Sequence, residues 1–185
     1  MASVLFISET FLKDNTQVSK NVDVKYIREA ILWSQDSDIQ PILGSTLYDV
    51  FKTQLAIDDT GATLGAAYKT LLDDYIQVCL KHYVVAECMP MAHYKITNKG
   101  LQIQDSEQSQ PASKSNVDFL VEKETNKAEW YRQRLIDYLC ENSTSFPEYQ
   151  NPGSGVDVIH PTRENYSTTF YLGKGRDCCN DNIYE

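Results

Sequence analysis

The sequence predicts a mainly α protein: a compact helical bundle of four to five helices with an extended C-terminal arm containing short β segments. Three observations predict it. Apolar residues recur at spacings of three and four through residues 8–140, the period of a helix with one buried face. Residues 143–185 hold four of the eight glycines and three of the six prolines, a density that breaks helices and marks loops or extended chain. The only β-like runs, 156–159 and 167–172, also fall there, and Ser167-Thr168-Thr169-Phe170-Tyr171-Leu172 mixes β-branched with aromatic residues.

Each element has its own signal. Ser8 or Thr10 is placed to cap a short first helix ending near Lys13. Asp23 is an N-cap for a second helix with Val24, Ile27, Ala30 and Ile31 on one face and Trp33 beside it. Residues 35–44 read as a break, because Pro41 lacks an N–H and Gly44 permits a turn. Ser45 or Thr46 then starts a third helix with Leu47, Tyr48, Phe51 and Leu55 inward. Asp58-Asp59-Thr60-Gly61 is a turn, followed by a long helix over 63–97 with a stripe of Leu64, Ala67, Leu71, Tyr75, Val78, His82, Val85 and Met89. Pro90 should kink or end it, and Asn98-Lys99-Gly100 is a stop. Polar residues 101–114 make a loop or short hairpin. A last helix over 115–140 buries Val117, Leu120, Val121, Ala128, Tyr131, Leu135, Tyr138 and Leu139, with Arg132 and Arg134 suited to its C-terminal half.

The expected organisation is a helical domain over 1–142 and an arm over 143–185. The arm holds six of the twenty aromatics, among them Phe146, Tyr149, Tyr166, Phe170 and Tyr171, which suits a segment built to lie against something. The formal net charge of −9 disfavours gripping nucleic acid through the general surface, since that affinity comes from clustered Lys and Arg. The longest apolar run near the N-terminus, Val4-Leu5-Phe6-Ile7, is too short for a signal or a membrane span. Five cysteines at irregular spacing make no disulfide framework and fit a reducing compartment.

Chemistry-bearing patterns are sparse. There is no C-x-x-C, H-x-x-x-H or G-x-S-x-G, and the adjacent Cys178 and Cys179 are badly placed to share one tetrahedral metal. His82, on an apolar stripe, reads as a satisfied histidine of the core or its edge. Gly173-Lys174-Gly175-Arg176 lacks the strand and helix that flank a phosphate loop. The acidic pairs Asp36/Asp38, Asp58/Asp59 and Asp73/Asp74 read as solvated helix ends, and Lys25/Arg28 and Arg132/Arg134 as salt-bridging surface clusters. No catalytic residue, cofactor or metal is expected.

The segment 21–51, NVDVKYIREAILWSQDSDIQPILGSTLYDVF, contains A-x-x-x-x-Q-D-x-x-I-x-P-x-L-G followed by L-Y. Carried by Ala30, Gln35, Asp36, Ile39, Pro41, Leu43, Gly44, Leu47 and Tyr48, it resembles the N-terminal part of head-to-tail connector (adaptor) proteins of tailed bacteriophages, closest to those of crAss-like phages of Bacteroidetes hosts. The order of later helices extends the resemblance over about residues 1–142, and the arm matches only in Thr169-Phe170-Tyr171-Leu172. The resemblance implies a virion structural protein at the portal vertex, made in the host cytoplasm. It implies a ring, most often of twelve copies, below the portal protein and in contact with other tail or ring proteins, extending the DNA channel without specific DNA binding. Phe146, Tyr149, Tyr166, Phe170, Tyr171 and Leu172 are then the expected partner-binding residues, and Pro41 and Gly44 the structural corner. A helical interaction module docking its tail on a non-portal partner is the alternative. An enzyme using Cys178 or Cys179 with His160 is a third reading, without a locally positioned base.

Overall fold

The computed structural model describes residues 4–98, 100–103 and 113–163, and these are mainly helical. Helix α1 (Glu9–Asn15) is capped by Ser8, whose hydroxyl accepts the Phe11 N–H at 3.0 Å. Helix α2 (Val24–Ser34) is capped by Asp23, which accepts the Lys25 N–H. Its buried face is Ile27, Ala30 and Ile31, as the periodicity predicts, while Val24 and Trp33 stand exposed.

The expected break at 35–44 is instead helical, a π turn (Gln35–Ile39) running into α3 (Gln40–Leu43). Bonding from the Gln40 N–H back to the Gln35 carbonyl widens the helix just before Pro41, which sits in the first turn of α3, where a missing N–H is tolerated. The sharp corner falls at Gly44, with φ +78° and ψ 161°, a region open in practice to glycine alone. Helix α4 (Ser45–Ile57) buries Leu47, Tyr48, Phe51 and Leu55, as expected. The 58–61 turn forms, with the Gly61 N–H bonded to the Asp58 carbonyl.

The long helix is α5 (Ala66–Thr70), a π turn (Leu71–Ile76) and α6 (Gln77–His93). The π turn rotates the buried face, so Ile76, Leu80, Tyr83 and Val84 replace the expected line through Val78 and His82. Helix α6 lies between α2 and α7 (Lys114–Glu141), so it is buried on two sides. Pro90 occupies its last turn. Residues 94–97, expected as helix, form β1 (Tyr94–Thr97), paired antiparallel with β2 (Gly100–Ile103) in register Tyr94↔Ile103. Aromatic and β-branched residues after a proline favour the extended form.

In α7, Val117, Ala128, Leu135 and Leu139 are buried, and Ile136 and Cys140 join them. Leu120 was expected inward and is exposed. The core does not stop at Asn142. After a 3-10 turn (Ser143–Ser145), Phe146 and α8 (Pro147–Gln150) return to the bundle, and Phe146 and Tyr149 are both 0 % exposed. Phe146 meets Tyr68 edge-on at 5.2 Å. The residues that leave the core therefore begin after Gln150 rather than at 143. The β-like run 156–159 is not a strand, and the run 167–172 lies outside the described residues.

Candidate functional site

The residues of the 30–48 motif converge on one place. Gln35 is buried, and its amide faces the chain's first described residues: Oε1 accepts the Phe6 N–H at 2.7 Å, and Nε2 donates to the Val4 carbonyl at 3.1 Å. Gln77 Nε2 donates to the Phe6 carbonyl at 3.0 Å, so two glutamines pin this segment and seat Phe6 against Tyr48. Asp36 accepts the Tyr48 hydroxyl at 2.5 Å. Burial and the hydrogen bond to the Asp36 carboxylate push the Tyr48 phenol well above its ordinary range, so Tyr48 stays a donor at every ordinary pH. Ala30, Ile39, Leu43 and Leu47 are fully buried beneath.

The other face of the corner holds the chain's own C-terminal strap, residues 156–163. The Ser45 N–H, an orphan donor of the α4 N-terminus, donates to the Ile159 carbonyl at 3.0 Å, and the Ile159 N–H donates to Ser45 Oγ at 2.9 Å. The Thr162 N–H donates to the Pro41 carbonyl at 2.8 Å. A Cβ on Gly44 would lie 2.9 Å from Pro161 Cδ, so Gly44 is needed for close approach as well as for φ. Arg163 crosses the Tyr149 ring at 5.4 Å and donates through Nη2 to the Tyr149 carbonyl at 3.1 Å, while its buried Nε finds no acceptor among the described residues.

The strap is held by backbone hydrogen bonds, by Arg163 on Tyr149 and by the close approach of Pro161 to Gly44. Each hydrogen bond is worth about 0.5–1.5 kcal/mol net, and ordering each residue costs about 1–2 kcal/mol of backbone entropy. Three backbone N–H bonds over residues 159–163 do not outweigh that ordering by themselves. Val156 is fully exposed and His160 is exposed.

The predicted partner-binding residues separate. Phe146 and Tyr149 fill the chain's own core and present no surface to a partner. Tyr166, Phe170, Tyr171 and Leu172 lie outside the described residues, as do Cys178 and Cys179. Pro41 and Gly44 form the corner, and its role as the seat of residues 159–163 carried no signal in local sequence.

Elsewhere, a polar seam joins α6 to α7. His82 Nδ1 lies 2.8 Å from Glu124 Oε2, Lys127 donates to the other Glu124 oxygen, and the His82 ring stacks on Tyr131. Burial works to raise the Glu124 carboxyl, but the hydrogen bonds and charges of Lys127 and His82 outweigh it and hold the group below its ordinary range. His82 is thus a satisfied histidine at the core's edge. Arg132 pairs with Glu129 at 3.2 Å, as expected for that basic cluster, and the Tyr83 hydroxyl donates to Glu129 at 2.7 Å. Cys79, Cys88 and Cys140 are buried. Burial pushes Cys79 far up and Cys88 up to about 11, so neither is a ready thiolate. Among the described residues no group of three or more His, Cys, Asp or Glu is placed to hold a metal ion, and no helix is long and apolar enough to cross a membrane.

A groove of about 610 Å³, unforeseen from sequence, runs between the loop before α2 and the end of α6, floored by Val18, Val22, Tyr26, Val85 and Met89.

Residues 39–158 match the model of a family of unknown function (DUF6712), and the chain belongs to that family. No curated protein and no solved structure matches the chain. The matched span opens inside the corner, at Ile39, and reaches into the strap at Val158.

Proposed function

We propose that this protein is a virion structural component: a head-to-tail adaptor that assembles, in about twelve copies, into a ring below the portal protein, extends the DNA channel and joins capsid to tail without catalysis. The observation that carries the reading is the resemblance of the 30–48 motif to phage connectors. The structure supplies a physical reason for every residue of that motif, from the Gln35 clamp to the glycine corner. A helical bundle with an extended arm suits such a ring, because a heterologous assembly needs two different faces on each subunit. The acidic balance of −9 suits a channel wall, since net negative potential lets the duplex pass without adhering. Phe170, Tyr171 and Leu172, outside the described residues, are the proposed contacts to a neighbouring subunit or to portal.

Under this reading the protein resides at the portal vertex of the virion and is made in the host cytoplasm. Cryo-EM of the purified virion tests it: density below the portal should fit the α2–α4 corner and the α6–α7 pair in every subunit of one ring. A virion whose neck contains no such fold removes the reading. The alternative is an intracellular helical interaction module docking its tail on a non-portal partner. It predicts a small defined complex in place of a ring.

A further inference from the structure

We infer that the outward face of α7 is a docking surface for an acidic amphipathic helix of a partner protein. This surface is independent of the ring reading and of portal.

Phe119, Lys123, Lys127, Trp130 and Arg134 succeed one another at spacings of four, four, three and four, so they form one line along the helix. By the rise of an α-helix that line is about 22 Å long. All five residues are exposed, and so is Leu120 beside Phe119. Phe119 is 54 %, Leu120 45 % and Trp130 63 % open to solvent. The bundle does not use this face, because Val117, Ala128, Leu135 and Leu139 carry the buried side of α7. Its cations rest on aromatic rings or on a neighbouring acid. Lys123 Nζ lies 4.6 Å from the centre of the Phe119 ring, and the Arg134 guanidinium lies 4.9 Å from that of Tyr75. Lys127 bonds Glu124 and keeps its own side chain half exposed.

Charge complementarity names the occupant. In a chain with 26 acidic and 17 basic residues, this line carries three cations and no acid between Phe119 and Arg134. It selects a partner of negative charge. Phe119, Leu120 and Trp130 also select a partner with apolar side chains to bury, and aromatic residues with arginine are the composition of an interface centre. The narrowness of the positive line separates protein from nucleic acid. One step round the helix stand Glu122 and Asp137, both exposed, and they repel a continuous row of phosphates. A partner helix repeats its side chains at the same spacings of three and four. Its acidic residues can therefore meet Lys123, Lys127 and Arg134, while its apolar residues cover Phe119 and Trp130.

Fluorescence anisotropy of labelled probes mixed with the full chain tests this. The probes are a helical peptide of about three heptads with Leu on one face and Glu beside it, the same peptide with Lys in place of Glu, and a duplex DNA of similar length. The acidic peptide should bind at least about tenfold more tightly than the basic one. Lys123→Glu with Arg134→Glu should reverse that order, and Trp130→Ala should weaken the acidic peptide by about tenfold. These side chains are exposed, and circular dichroism first confirms that each variant is folded. If the double change unfolds the chain, Lys123→Glu alone carries the charge test. Failure of the acidic peptide to bind, equal binding of the two peptides, or an order that charge reversal leaves unchanged overturns the docking surface. Duplex DNA that binds more tightly than the acidic peptide, and is lost in the same variants, overturns it too and gives the face to nucleic acid.

Discussion

Replacing Gly44 by alanine perturbs the corner in two separable ways. The backbone at φ +78° and ψ 161° is strained for any residue with a Cβ, at about 1–3 kcal/mol. The new methyl also lies 2.9 Å from Pro161 Cδ and 3.3 Å from the Ile159 carbonyl oxygen, so the strap must move or leave. A loss of about 2 kcal/mol lowers the unfolding midpoint of a chain this size by roughly 4–8 °C. Chemical denaturation and thermal scans by circular dichroism read the stability, and amide exchange at Ser45 and Thr162 reads the strap. Pro161→Ala separates the two contributions, because it deletes Cδ and leaves φ unchanged. The double variant should recover protection at Ser45 and keep most of the instability. A Gly44→Ala protein as stable as wild type, with the Ser45 amide still protected, refutes the account of the corner.

Other perturbations follow from the same contacts. Gln35→Ala leaves the Phe6 N–H and the Val4 carbonyl without their partner and should destabilise by about 1–3 kcal/mol, read by urea unfolding. Phe146→Ala should cost about 3–5 kcal/mol, and a chain ending at Asn142 should lose cooperative unfolding, whereas a docking role for Phe146 would leave monomer stability unchanged. The Glu124 carboxyl is held below its ordinary 4.5, so its contribution is present above that pH and is lost as pH falls through the lower folded value. Acid titration followed by circular dichroism should show that loss below about pH 4.5, and Glu124→Gln should flatten that part of the curve. Phe170→Ser with Tyr171→Ser should weaken binding to a neighbour or portal by pull-down, with monomer stability little changed.

Local chemistry made much of the fold legible. Ser8 and Asp23 announced helix starts because a short oxygen-bearing side chain at that position satisfies an orphan N–H. Leu47, Tyr48, Phe51 and Leu55 announced the buried face of α4 because that helix has one core side. The same reasoning slipped at Leu71–Ile76, where a π turn adds a residue to the winding without changing composition, so the face rotates unseen. It slipped again at Pro41, which reads as a break until a widened turn before it is allowed for. The candidate site was the least legible part. Pro41 and Gly44 were visible as a corner, but their partner begins 114 residues further along, where Ile159 meets Ser45, and no local pattern encodes that distance. Phe146 and Tyr149 misled for a related reason: aromatics in a glycine- and proline-rich stretch look like docking groups whether they dock on a neighbour or fold back on their own chain.

The most direct test of the central claim is the mass of the assembly. Under the proposed reading, native mass spectrometry of the protein, alone and mixed with a phage portal protein, should show a complex carrying a ring of about twelve copies once portal is present. A chain that stays monomeric at every concentration and never joins portal contradicts the account.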